Sequence, residues 1–503
     1  MRITLLELQS FIKHIPTKQQ LEFLNVAKSP LKQLFQHFVQ HKNEDIEEAN
    51  LKTTLSEPNL IDLAKVYQIL YQQLLTFLNK KRHSVVDEVH ENLKSIQTLY
   101  ELKQFSLCYQ LLAETHTLAI ENELFEAIHE ILIWERTLTY YNTGYQKDIE
   151  QTFRTTISVC QKLSNLWQYR ELHLKVQELD GNVVVRGDRA KRLKYFLQDR
   201  LLQQAESAKS INARLLHHTI CATIHRNLED YPKAHYHYQS LVELYNERAA
   251  ADIERKWEAY LATINNYANI SLFLKHYQDA LLVSDMLKQL HRIYAFVAEN
   301  NLETDLFIRA YFIEIQVYKE RLEIEKALQL LPIIKQFIDK KDAPIKTMYK
   351  IGIVYEVAEV LFINNNFDKS IIFLKQIANL SKLQTDNDAY IMSLMLKLLI
   401  FVEQKDLKNL EKHTQKTKQY LKAHRINSRY EILFINLMED VLYHYNSGFD
   451  THKMFEEYIA LFTAIQPFVE ENIYFDITSW LQSKITDKTF LEIKKTKLSQ
   501  SQN

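Results

Sequence analysis

Across 503 residues the chain carries 46% hydrophobic and 25% charged residues, a net charge of −1, and only 5 glycines and 7 prolines. A single core stops growing near about 250–300 residues, so a chain this long is several domains or a repeat, and its neutrality excludes a global pull toward nucleic acid or an anionic membrane. Sheets turn on the Gly, Asn-Gly and Pro that are scarce here, and the ordinary apolar content excludes disorder as the reason, which leaves an all-α fold.

In residues 1–83, Leu5, Leu8, Phe11, Ile12 and Ile15 share one helical stripe ended by Pro16. Charges interrupt this opening and no small-residue cleavage site follows it, so no signal peptide is expected. Thr17 is expected to cap a second helix through Phe23 and Val26. A third spans Leu31 to Val39, Asn43–Glu48 is an acidic break, and Pro58-Asn59 precedes a helix over Leu60–Leu78 closed by Lys80-Lys81-Arg82.

Residues 84–180 hold a first repeat-like unit, with Phe105, Cys108 and Leu112 opening its second helix and the run Phe125, Ile128, Ile131, Leu132, Trp134 downstream. Asp180–Asp188 (DGNVVVRGD) contains two of the five glycines and predicts an exposed joint, so residues 181–213 form a joint and connecting helix. From 214 to 425 the pattern is regular. An aromatic or apolar anchor opens each second helix at Tyr231, Tyr277, Ile324, Phe367 and Leu407, at intervals of 46, 47, 43 and 40 by subtraction. Three residues on lie Ala234, Ala280, Ala327, Ser370 and Leu410. The best-formed unit, Asn265–Leu287, predicts two helices joined by a tight turn at Leu274–His276. Residues 426–503 form a helical cap and a polar tail, KKTKLSQSQN, expected to fray. The most apolar window, Ile391–Val402, is short and contains Lys397, so it predicts a buried helix and no membrane span.

In Asn265–Leu287 the order of small Ala268, then Tyr277, Ala280 and Ser284, resembles the helix-turn-helix unit of tetratricopeptide (TPR) proteins. Several stretches together resemble a set of uncharacterised bacterial TPR-like helical-repeat proteins. They are Lys18–Phe38, Leu102–Leu112 with Trp134-Glu135-Arg136, Tyr231–Tyr238, Asn265–Leu287 and Tyr474–Phe490. The resemblance implies a right-handed α-solenoid of stacked antiparallel helix pairs, with repeats of about 40–47 residues against 34 in a TPR. It implies a scaffold and nothing catalytic.

Chemistry is constrained by the five glycines, at 144, 181, 187, 352 and 448. None has the spacing of a Walker A loop, a Rossmann turn or a nucleophile elbow, and no CxxC or HExxH occurs. No enzyme activity, cofactor or metal is therefore expected. Cys108, Cys160 and Cys221 read as small core residues of a reducing, cytoplasmic compartment. His37/His41 with Glu44, and His217/Cys221/His225, have helical spacing for metal ligands, but a ligand pair without third and fourth partners is weak, and packing is the expected role. Arg186–Asp188 spells an integrin-type tripeptide, expected to be coincidence. Lys405–Arg429 holds eight Lys/Arg against two acids and reads as one solvated helix face, with no nucleic-acid partner expected.

In stacked TPR-like units the first helix of each pair lines the groove. Positions three before and one after its small residue are Thr219 and Thr223, Asn265 and Asn269, Phe312 and Gln316, then Tyr355 and Glu359. These are the expected groove residues for a protein or peptide partner. The rival is a peptide- or ligand-sensing regulator reading DNA through residues 1–83, whose eleven Lys/Arg exceed their eight acids by three.

Overall fold

The computed structural model describes residues 3–15, 17–41, 63–81, 84–141, 147–181, 186–248, 250–339, 345, 347–380, 388–424, 426, 428–465 and 475–501. Among them lie 26 α-helices and no strand, an all-α fold. The chain separates into two compact units, Met1–Trp167 and Gln168–Asn503.

In the first unit, α1 (Leu5–Lys13), α2 (Thr17–Val26), α3 (Leu31–Gln40) and α4 (Leu63–Lys81) close over one apolar cluster of Leu8, Ile12, Phe23, Phe35, Leu70 and Leu74. Thr4 and Glu7 form a reciprocal capping box on α1, a Thr-x-x-Glu signal legible in the sequence. The expected second helix begins at Thr17 itself. The Asn43–Glu48 break and residues 58–62 lie outside the described residues. Helices α5 (Val85–Glu101), α6 (Phe105–Glu121) and α7 (Phe125–Tyr140) then pack each on the next. Helix α8 (Ile149–Gly181) crosses the division between units.

Around the expected joint the chain is helical to Gly181 and again from Arg186, in α9 (Arg186–Phe196), with residues 182–185 outside the described set. The Arg186–Asp188 tripeptide thus opens a helix and is not a loop. A single-turn helix, α10 (Arg200–Gln203), follows.

The second unit continues as helix pairs. These are α11 (Ile211–Asn227) with α12 (Tyr231–Asn246), α14 (Trp257–Phe273) with α15 (Tyr277–Ile293), and α17 (Glu303–Glu320) with α18 (Ile324–Ile338). Then come α19 (Thr347–Ile363) with α20 (Phe367–Leu380) and α21 (Asp388–Glu403) with α22 (Leu407–Ala423). Short helices α13 (Ala250–Arg255) and α16 (Ala295–Glu299) are inserted between the first three pairs and account for the two longest intervals. Each second helix packs on the next pair's first helix, and α17, α19, α21 and α23 (Arg429–Ser447) also pack in succession. Every anchor read from the sequence is the first residue of a second helix, and Ala234, Ala280, Ala327, Ser370 and Leu410 are all fully buried. Small side chains there let neighbouring helices approach. Helices α24 (His452–Ile465), α25 (Ile477–Ile485) and α26 (Phe490–Ser501) complete the chain. The tail expected to fray is helical as far as Ser501, in a helix whose start Thr489 and Glu492 close with a capping box.

The turns explain how a glycine-poor chain reverses direction. After α14, Lys275 N–H donates to Leu272 O (3.0 Å) and His276 N–H to Ser271 O (2.7 Å), with Lys275 at φ 60°. This is a complete Schellman motif. The same pair of bonds recurs around Lys103, Glu123, Glu229, Asn301, Leu322, Asn365 and Lys405, all left-handed and none glycine. Left-handed backbone costs a side-chain-bearing residue about 1–2 kcal/mol, and glycine gives part of that back as unfolded-state entropy. Lys275→Gly is therefore expected to stabilise its helix pair by about 0.5–1 kcal/mol, and Lys275→Val to destabilise it; thermal melts of the two variants check the sign.

Candidate functional site

The left-handed turn residue gives each pair a common register. Seven positions before it stand Ala222, Ala268, Ile315, Ala358 and Leu398, all buried. The expected groove residues lie ten and six positions before it, and their surroundings change along the chain. Thr219 and Thr223 are half-buried, their hydroxyls turned back onto Leu215 O (2.7 Å) and Thr219 O (2.8 Å). Asn265 is half-buried and Asn269 exposed. Phe312 lies against α19 where Gly352 has no side chain; a Cβ there would stand 3.0 Å from Phe312 Cε2. Gln316 donates from Nε2 to Glu356 Oε1 (3.0 Å). Tyr355 and Glu359 are buried. Six of the eight residues thus keep some solvent access, and the last two are covered by protein.

Glu359 belongs to a buried ion cluster that the sequence reading missed. Lys319 Nζ lies 2.7 Å from Glu356 Oε2 and 2.8 Å from Glu359 Oε2, all three side chains buried. Burial alone would lower the lysine, yet Glu356 and Glu359 raise it well above its ordinary value. Burial, opposed by Lys319, raises the Glu356 carboxyl, as expected where two acids share one cation. The signal was present: Glu356 and Glu359 are three apart in α19, a helix buried nearly all round.

Two clusters gather metal-ligand side chains. In the first, His217 donates from Nδ1 to Leu201 O (3.1 Å), leaving Nε2 to face Cys221 Sγ at 3.9 Å. The third group near them is His237 of α12, not His225. His237 Nδ1 lies 3.0 Å from His218 Nδ1, while His225 approaches Asp230 Oδ2 at 3.2 Å and stacks on His237 at 5.7 Å. Burial pushes His218 down to about 4, His237 down to about 3 and the Cys221 thiol up to about 12. At neutral pH this is an uncharged core in which the thiol donates to His217 and one imidazole donates to another.

The second cluster, His235, His276 and Asp279, has no counterpart in the sequence reading, although His276-x-x-Asp279 spans one helical turn. Burial, reinforced by His276, lowers His235. His37 and His41 stack at 4.3 Å, with His41 Nδ1 3.0 Å from His37 O, a local bond; Glu44 lies outside the described residues. Cys108 and Cys221 are buried as expected, but Cys160 is exposed on α8 and is not a core residue. Lys408, Lys412 and Lys416 are exposed along α22.

Among the described residues no helix is long and apolar enough to cross a membrane. The chain matches no protein-family model, no curated protein and no solved structure.

Proposed function

We propose that this chain is a non-enzymatic, cytoplasmic scaffold of TPR-like helical-repeat type, and that it holds a protein or peptide partner along the first helices of the 211–320 region. The carrying observation is the gradient in the shared register: half-buried or exposed at Thr219, Thr223, Asn265, Asn269, Phe312 and Gln316, covered at Tyr355 and Glu359. Four short polar side chains at one register on two neighbouring first helices, Thr219 and Thr223 then Asn265 and Asn269, suit main-chain amides of an extended or helical peptide. The regular pairs, the common anchors and the repeated turn support a solenoid that buries one continuous core. The reading narrows the groove to its first three pairs and leaves Tyr355 and Glu359 to stability.

A photo-crosslinking side chain placed at Asn269, against the same group at Tyr236 on the second helix of a pair, tests this. Crosslinks from 269 are expected to be saturable, suppressed by excess unlabelled protein and lost with Asn265→Ala, whereas those from 236 are not. Identical adduct patterns from both positions would remove the groove assignment.

A further inference from the structure

We propose that His235, His276 and Asp279 form a binding site for a divalent first-row transition-metal ion, zinc foremost, that ties the α11–α12 pair to the α14–α15 pair. His235 comes from α12, His276 from the turn after α14, and Asp279 from the first turn of α15. Their ligand atoms make a closed triangle. His235 Nε2 is 3.1 Å from Asp279 Oδ2, His276 Nδ1 is 3.3 Å from His235 Nε2, and His276 Nδ1 is 3.8 Å from Asp279 Oδ2. Zinc with bonds of about 2.0–2.1 Å in tetrahedral array sets its ligand atoms about 3.3 Å apart. The triangle is therefore one face of such a site to within about half an ångström, before any ion draws it in.

Proton counting points the same way. If His235 carries its proton on Nε2 it can donate to Asp279, and His276 Nδ1 then faces the same hydrogen. If His276 donates to His235 instead, a bare nitrogen confronts a carboxylate oxygen at 3.1 Å. A proton on His235 Nε2 is shared between two acceptors in a three-centre bond, whereas a divalent cation engages all three groups directly. Two imidazoles and a carboxylate with open remaining positions suit zinc, cobalt or ferrous iron more than calcium or magnesium, which prefer all-oxygen shells.

The surroundings match a metal centre as well. The Tyr267 hydroxyl hydrogen-bonds Asp279, and the His235 ring lies 5.1 Å from that of Tyr267. Such outer partners orient ligands. His235 is one-tenth exposed and His276 half exposed, so the base of the site is fixed and its mouth is open to water. The His217–Cys221–His237 cluster differs in this respect. There the buried Cys221 thiol is turned onto His217 Nε2, and an ion would have to displace that thiol proton.

The test uses the full chain stripped of metal and titrated calorimetrically with zinc chloride alone. One tightly bound ion per chain is expected, with a higher melting temperature when loaded. Asp279→Asn and His276→Ala are each expected to weaken binding at least about 10-fold, with zinc-free melts close to the parent's. Cys221→Ser is expected to bind as the parent does, and a cobalt-loaded chain to lack a sulfur-to-cobalt charge-transfer band. No tight zinc binding, binding unchanged in both Asp279→Asn and His276→Ala, or a cobalt–sulfur band lost with Cys221→Ser would each overturn the assignment.

Discussion

Lys319→Met is expected to destabilise the α17–α19–α20 region by about 3–5 kcal/mol, the cost of leaving buried charge without its partner. The variant strands Glu356 and Glu359 side by side, with Gln316 as the remaining donor to Glu356. In a chain of stacked helix pairs the loss need not appear as one global transition. Native-state hydrogen exchange of α17 and α19 is the appropriate measurement, because it reports local opening. The deficit should shrink on acidification, since protonating the stranded carboxyls removes the uncompensated charge. In the parent chain the lysine's folded value is raised, so its stabilisation is complete below the ordinary value of 10.5 and disappears only in alkali. Adding Glu356→Gln and Glu359→Gln to Lys319→Met should recover part of the loss. If Lys319→Met exchanges at the parent rate, the ion cluster is not what closes this end of the stripe.

Trp480→Ala is expected to cost a similar about 3–5 kcal/mol. Trp480 is fully buried, donates from Nε1 to Glu403 Oε1 (2.6 Å) and stands edge-on to Phe455 at 6.3 Å. Lys484 pairs with the same Glu403 oxygen. Around it, Phe475 packs on Phe362 of α19 at 5.2 Å, and Tyr430 donates to Phe475 O (3.1 Å). The C-terminal helices are thus part of the core of the later pairs. Truncation to alanine should expose α21 and α25 to proteolysis together. Trp480→Phe keeps most of the apolar volume and leaves Glu403 paired with Lys484, so its penalty should be much smaller. Equal penalties would show that the indole N–H, and not burial, carries the anchor.

Much of the fold was legible because helix pairing in this chain is local. Tyr231, Tyr277, Ile324, Phe367 and Leu407 each open a helix, and the residues three further on, small in four of the five, are buried, since periodicity within one helix decides which face turns inward. The turns were legible in position but not in chemistry. The sequence placed a tight turn at Leu274–His276, yet Lys275 and seven other side-chain-bearing residues adopt the left-handed conformation that glycine usually fills. Composition cannot reveal that substitution, because the two hydrogen bonds that hold it are made by backbone. Cys160 misled for a related reason: a thiol inside a helical pattern reads as core, and only the packing of α8 places it in solvent.

The amino-acid sequence by itself determined the helical class, the residues that open the second helices from Tyr231 to Leu407, the buried positions three residues on and the lack of any Gly-rich phosphate or nucleophile loop. These rest on spacing within about 20 residues, where helical geometry fixes which side chains are neighbours. Only the tertiary structure decided which groups meet across helices. It joined Lys319 to Glu356 and Glu359, buried Tyr355, set His237 in place of His225 beside Cys221, and brought His235 to His276 and Asp279, some 41–44 positions away. The partners in the ion cluster and in the His235 group stand 37–44 positions apart by subtraction, close to one repeat, so they are set by how one pair stacks on the next, whereas His237 reaches Cys221 across a single pair. No pattern within a single helix records that.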